Sequence, residues 1–229
     1  DEEKMENLIQ SLSSDCMLSD QEQGAISAAR TFNRYRNSNF EKEIALSWWA
    51  RPFPGNFGDW LSPLIFSHYS QAKIKFVPPT GSVKSAPNHI VGVGSIGRFI
   101  NKRSSVVGTG ISSHEHRLDK RANYFSVRGP ITADYLKDCG GPVVNSFGDP
   151  AAIISRIFPF SYGDTNGRVA LVRHFSHERV PLNLPENFDE LSVLMSSPKA
   201  IEAFISKLIC YDEVVTSAMH VMIICHAFG

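Results

Sequence analysis

The chain of 229 residues has four cysteines, at 16, 139, 210 and 225, and no Cys-x-x-Cys pair. That spacing excludes a disulfide-stapled scaffold and a zinc knuckle, and four reduced thiols in a reducing compartment are expected. Net charge is missing too: 23 Lys and Arg balance 23 Asp and Glu. A bulk nucleic-acid binder needs an excess of Lys and Arg to neutralise phosphates, so no nucleic-acid partner is expected. No apolar run is long enough to span a bilayer; the longest uncharged stretch near the end, Val214–Gly229, contains His220 and His226. The N-terminus has neither a basic region nor an apolar one ahead of a cleavage site, so no signal peptide is expected and the chain is assigned to the cytoplasm. It also has no initiator Met, as a fragment would. Gly-x-Ser-x-Gly and P-loop motifs are absent, leaving serine-hydrolase and NTPase chemistry without their signatures.

What is present suits a globular fold, with 42% apolar residues, 15 of them Phe, and 20% charged residues. Charge is distributed unevenly. Residues 1–22 hold seven acids against Lys4, a net of −6, with Met5, Leu8, Ile9 and Leu12 at helical spacing. Residues 98–121 hold Arg98, Lys102, Arg103, Arg117, Lys120 and Arg121 against Glu115 and Asp119, a net of +4. That stretch suits either an anion site or a solvated face.

A helix is expected from Asp20 to about Arg34. Strands are expected at Ile44–Trp49, Ile74–Val77, His89–Val93, Ser105–Gly108, Tyr124–Val127 and Val143–Phe147, then at Arg168–Val172, Leu191–Met195 and Glu213–Thr216. Helices are expected at Asp59–Tyr69, Pro130–Asp138, Asp149–Phe158 and Pro198–Ile209, and from Ala218 onward. Strands alternating with helices predict an α/β protein with mostly parallel, Rossmann-like sheets. Tyr162–Gly167, all turn residues without periodicity, reads as a linker. The expected organisation is an acidic helical segment (1–42), a first half (43–162) and a partial second half (163–229).

Gly92-Val-Gly94-Ser-Ile-Gly97 is a literal Gly-x-Gly-x-x-Gly after a strand. The next strand starts near Ser105, which leaves too little chain for the crossover helix of a dinucleotide site, so that reading is rejected. Val91-Gly92-Val93-Gly94 recurs as Val107-Gly108-Thr109-Gly110, two glycine exits at the strand edge where α/β ligands bind. Asn56-Phe57-Gly58-Asp59 leads into a helix that Asp59 either caps or lends to chemistry. His114-Glu115-His116 and Arg173-His174-Phe175-Ser176-His177 lack metal-ligand spacing, and no metal site is expected. His220 sits where a helix N-terminus disfavours imidazolium, which suits a neutral hydrogen-bonding or base group, or a packed core histidine.

Seven ordered blocks over residues 44–229 resemble the polysaccharide pyruvyl transferase family. They are Asn56-Phe-Gly-Asp59, Gly92-Val-Gly94-Ser95, Gly108-Thr-Gly110-Ile, Val127-Arg128-Gly-Pro-Ile-Thr132, Phe147-Gly-Asp149-Pro-Ala151, Ser217-Ala-Met-His220 and His226-Ala-Phe-Gly229. The resemblance implies a glycosyltransferase-B-like pair of Rossmann-type halves around a cleft, the second half shortened here. It implies transfer of the pyruvyl unit of phosphoenolpyruvate onto two sugar hydroxyls as a cyclic ketal, with no cofactor beyond that donor. His220 and Asp59 would be catalytic, and Arg128 and Ser217 would bind the donor. Asn56, Gly94, Ser95 and Gly110 would face the sugar or glycan acceptor. The family often has Arg-Leu-His where this chain has Ala218-Met219-His220, and Arg173 or His174 is expected to replace the missing cation. An inactive relative that binds glycans or a partner protein, and a nucleotide-sugar glycosyltransferase of the same fold, are the alternatives. The resemblance leaves room for an oligomer.

Overall fold

The computed structural model describes residues 20–35, 40–161 and 163–229. The helix expected around Met5–Leu12 and the start of the linker at Tyr162 lie outside these residues. Helix α1 (Asp20–Asn33) lays Ala25, Ala28, Ala29 and Phe32 on the core, with Phe32 stacked on Trp60 at 5.7 Å. Five strands follow: β1 (Glu43–Ser47), β2 (Lys73–Phe76), β3 (His89–Val91), β4 (Ser104–Val107) and β5 (Asn123–Ser126). They form one parallel sheet in the order β2-β1-β3-β4-β5. The open edge of β2 is covered by Asn33, whose Nδ2 donates to Ile74 O (3.2 Å) while its Oδ1 accepts from Ile74 N (2.7 Å).

Helix α2 (Phe57–Ser70) connects β1 to β2, and α3 (Pro130–Asp138) follows β5 with Pro130 in its first turn. A 3-10 turn (Pro150–Ile153), with Asp149 capping Ala151 N, runs into the short α4 (Ile154–Ile157). A second parallel sheet has the order β7-β6-β8, from β6 (Val169–Val172), β7 (Phe188–Glu190) and β8 (Glu213–Thr216). Helix α5 (Pro198–Leu208) links β7 to β8, and α6 (Met219–Phe228) follows β8. The chain is therefore α/β with two parallel sheets. One apolar core joins them, running from Leu46, Trp48 and Trp60 to Ile201, Ile205 and Ile224. Among the described residues Cys139, Cys210 and Cys225 are free thiols, and no helix is long and apolar enough to cross a membrane.

Two expected strands are corrected. Val143–Phe147 contributes one parallel bridge, Val127 with Phe147, because Val143 (71% exposed) and Phe147 (50%) find nothing to pack against. Leu191–Met195 is not the strand. Phe188–Glu190 pairs with β6, and the following residues pair with the segment that leads into α2. There Asn56 and Leu194 form an antiparallel bridge, Phe57 N donates to Val193 O (2.7 Å) and Met195 N to Gly55 O (2.8 Å). The alternating apolar pattern read there as a strand serves as the stitch between sheets.

Candidate active site

In open α/β sheets a ligand crevice forms beyond the strand C-termini where the strand order reverses. Both sheets have the local order second-first-third, so each has such a reversal, between β1 and β3 and between β6 and β8. The loops leaving those four strands carry Asn56–Asp59, Gly94–Ser95, Arg173–His174 and Ser217–His220. They meet around a cavity of about 340 Å³ whose walls include Asn56, Asp59, Ser95, His174 and His220. That volume is within the usual range for small-molecule sites, roughly 300–1,000 Å³.

Two helix starts meet at the wall of the cavity. Helix α2 begins at Phe57, two residues earlier than expected, so Asp59 lies inside the first turn instead of capping it. Its Oδ2 accepts from Asn56 Nδ2 (2.9 Å). Helix α6 begins at Met219, with His220 second. Gly58 permits this approach, because a Cβ there would lie 2.1 Å from His220 Nδ1. Gly94, at φ +110°, does the same for Asp59, whose Oδ1 would lie 2.7 Å from an added Cβ.

Asp59 is buried, and that burial pushes its carboxyl up from 3.8 to about 6. His220 and the Asn56 hydrogen bond pull the other way, while the charge of Asp149 adds to the rise. Asp149 was read from the sequence only as a helix start. Its Oδ1 accepts from Ala151 N (3.0 Å), and its Oδ2 lies 3.6 Å from His220 Nε2. Both facing atoms are buried, and neither has a hydrogen-bond partner. A buried orphan acceptor opposite a buried orphan imidazole nitrogen is a complementary pair just beyond hydrogen-bond reach. The sequence signal for Asp149 was its place in the block Phe147–Ala151, to which no site role was attached.

Arg128 lies behind Ser95. Its Nη1 donates to Ser95 Oγ (2.7 Å) and its Nη2 to the Ile111 carbonyl (3.2 Å). Burial lowers its pKa, and Asp149 opposes that shift. The guanidinium rests on Gly110, where an added Cβ would meet it at 2.4 Å. Gly94 O, accepting from Thr109 Oγ1 (2.7 Å) and Gly110 N (3.0 Å), ties the two glycine exits together.

The second sheet divides its expected residues. His174 lines the cavity, and desolvation followed by the charges of His177 and His220 lowers its pKa. Ser217 does not line the cavity. Its Oγ accepts from His174 N and lies 3.0 Å from His177 Nδ1, fixing the loop that presents His174. Arg173 is not brought into the cavity either. Its guanidinium donates to Glu190 Oε1 and to the carbonyls of His177, Glu178 and Val180. The arginine that does reach the cavity wall is Arg98, with Trp49 and Phe99 beside it. Nothing periodic in the sequence marked these three, since tertiary packing alone joins β1 to the loop after β3.

Among the described residues no three His, Cys, Asp or Glu side chains are arranged to hold a metal ion. Searches of curated proteins and of solved structures find no match. A family model for polysaccharide pyruvyl transferase matches residues 51–229, which include every residue of this cavity but Trp49, and the chain belongs to that family.

Proposed function

We propose that this protein transfers the pyruvyl unit of phosphoenolpyruvate onto two hydroxyls of a sugar, forming a cyclic ketal and releasing phosphate. One observation carries the reading: a carboxyl at about 6, a serine hydroxyl and a buried histidine line one cavity, with Arg128 directly behind the serine and the orphan carboxylate of Asp149 behind the histidine. The chemistry needs these parts. A proton is added to the donor's methylene carbon as a sugar oxygen bonds to the adjacent carbon and loses its own proton. The phosphate bond then breaks, and the second hydroxyl closes the ring, its proton leaving with phosphate. A proton donor or acceptor near neutrality serves such steps best, and Asp59 fits that need, with His220 beside it as a second group able to move a proton. Asp149 would pair with the imidazolium. Arg128, with His174 across the cavity, suits the carboxylate and phosphate of the donor.

Asn56, Gly94, Ser95 and Gly110 then stand on the acceptor side. Residues 43–162 and 163–229 belong to the acceptor side and the second half of a glycosyltransferase-B-like arrangement, working in the cytoplasm without a further cofactor. The test is incubation with phosphoenolpyruvate and either methyl β-galactoside or N-acetylmannosamine, following phosphate release and the ketal methyl signal by NMR. Ketal and phosphate in equal amounts are expected. Absence of product with both sugars, together with no donor binding by calorimetry, overturns the reading.

A further inference from the structure

The cavity wall is chemically divided. Asp59, Ser95 and His220 give it one polar, ionisable side. Trp49 and Phe99 give it another that is aromatic and half-buried. Their rings stack at 5.1 Å between centroids with only 12° between planes. The guanidinium carbon of Arg98 lies 4.5 Å from the Phe99 centroid and 5.4 Å from that of Trp49, within cation–π range. Arg98 is exposed, and among the described residues it has no hydrogen-bond or ion-pair partner.

The backbone makes this a rigid fixture. Trp48 and Trp49 leave β1 on opposite sides: Trp48 enters the main core against Trp60 at 5.4 Å, while Trp49 joins the smaller core cluster around Val91 and Val106. Phe99 closes a 3-10 turn (Gly97–Phe99) held by Gly97 N to Gly110 O (2.9 Å) and Phe99 N to Ile96 O (2.9 Å).

An aromatic floor has no use for a small, highly charged donor, whose anionic oxygens would lose hydration against it without gaining a partner. A pyranose does use it. One face of the ring carries several C–H groups that lie flat on an aromatic surface, and the hydroxyls at the edge meet donors such as a free guanidinium. We infer that Trp49 and Phe99 form the platform on which the acceptor pyranose stacks by its C–H face, with Arg98 as the arm that hydrogen-bonds its edge oxygens. The inference rests on the pyruvyl-transfer reading only in naming the sugar as acceptor. A ring seated this way turns any axial hydroxyl on its other face away from the aromatic floor and into the cavity. Sugars with a contiguous C–H face, of which the galacto configuration is one, are therefore the preferred class.

Saturation-transfer NMR on the wild-type protein with methyl β-galactoside and with N-acetylmannosamine tests the platform without any reaction. Enhancement concentrated on the C–H protons of one face is expected for at least one sugar, and is lost in Trp49→Ala. In steady-state assays Trp49→Ala should raise the acceptor KM about tenfold, the scale of one lost aromatic contact, and leave donor affinity by calorimetry within about twofold. Trp49→Phe should recover most of the loss, a rescue that a purely structural tryptophan would not require of the acceptor KM alone. Should Trp49→Ala fail to fold, Phe99→Leu carries the same comparison. Absence of enhancement with both sugars, or an unchanged acceptor KM in the folded variants, overturns the platform. Face-specific enhancement in a wild-type protein that forms no ketal and binds no donor overturns pyruvyl transfer instead, and leaves the platform standing.

Discussion

The two sheets open onto the cavity with the same strand order but furnish it differently. The first sheet's mouth supplies a buried carboxyl at about 6 and a serine hydroxyl, backed by Arg128, which spends two hydrogen bonds inside the protein, one of them on that hydroxyl. The second supplies imidazoles, His174 and His220, while its own strand-exit arginine is taken up entirely by Glu190 and three carbonyls. Arg128 and Arg173 look alike in sequence, each directly beyond a β-rich run. What separates them is how many of the five guanidinium N–H groups the fold has already used. A cation at a strand exit is available to a ligand only to the extent that its own loop has not claimed it.

The sharpest break in the comparison is to remove the second mouth's contribution to chemistry. His220→Ala should lower kcat/KM by roughly 10²–10⁴-fold, the usual scale for a lost general acid or base. Folding should survive, since the change empties space beside Gly58 and removes no hydrogen bond. Phosphate release paired with circular dichroism checks both parts. A loss under tenfold in a folded variant would shift the proton-transfer role to Asp59 alone.

The first mouth is tested through pH. In the folded state Asp59 is raised from 3.8 to about 6, so its burial favours the neutral form. That contribution to stability is fully present below about 4 and is lost as pH rises through about 6, a change of ~3 kcal/mol for a gap of that size. Asp59→Asn keeps an oxygen for Asn56 Nδ2 and has nothing to ionise. Its stability advantage over wild type should therefore grow between pH 4 and 6 and level off above, as read from denaturation midpoints across pH. A constant difference at all pH values would mean that Asp59 is not the buried group it is taken to be. The same substitution should depress turnover.

Much of this arrangement could be read from the residues, and what could not has a common cause. Of the nine expected strands seven stand, Leu191–Met195 gives way to Phe188–Glu190, and Val143–Phe147 keeps one bridge, because a β-rich run forms a strand only where a face is buried, and Val143 and Phe147 are exposed. Asn56, Asp59, Ser95, His174 and His220 were all legible as strand-exit residues and all reach one cavity. Asp149 was legible only as the start of a helix, and the cap it forms uses its first oxygen and leaves the second to face His220. Arg98 was legible only as one member of a basic stretch, and Trp49 and Phe99 had no local signature. Their association depends on β1 and the loop after β3 lying side by side, a tertiary fact.

The contrast between the arginines predicts a separation of stability from binding. Arg173→Met should cost about 2 kcal/mol of unfolding free energy, because three loop carbonyls and Glu190 lose their donor. Donor affinity should fall only as far as the loop bearing His174 loosens. Arg128→Met gives up two hydrogen bonds, costs about 1 kcal/mol, and should weaken donor binding by tenfold or more. Melting curves and calorimetric titration with phosphoenolpyruvate on the two variants decide it. Equal losses of donor affinity would erase the distinction between the mouths.

The smallest effect concerns the hydroxyl that holds the second mouth in shape. Ser217 Oγ accepts from His174 N at 3.0 Å and lies equally far from His177 Nδ1, so one oxygen fixes both the backbone and the neighbour of the cavity histidine. Ser217 lies outside the cavity wall, so its removal acts on the loop and not directly on substrate. Ser217→Ala should cost about 1 kcal/mol, the net worth of the hydrogen bonding lost at a partly exposed site. With His174 less firmly held, the donor KM should rise by roughly twofold to fivefold while kcat stays near wild type. Ser217→Thr, which keeps the oxygen, should restore the wild-type KM. A fall in kcat to match that of His220→Ala, with no rescue by threonine, would instead place this hydroxyl on the reacting atoms and make the second mouth a serine–histidine site.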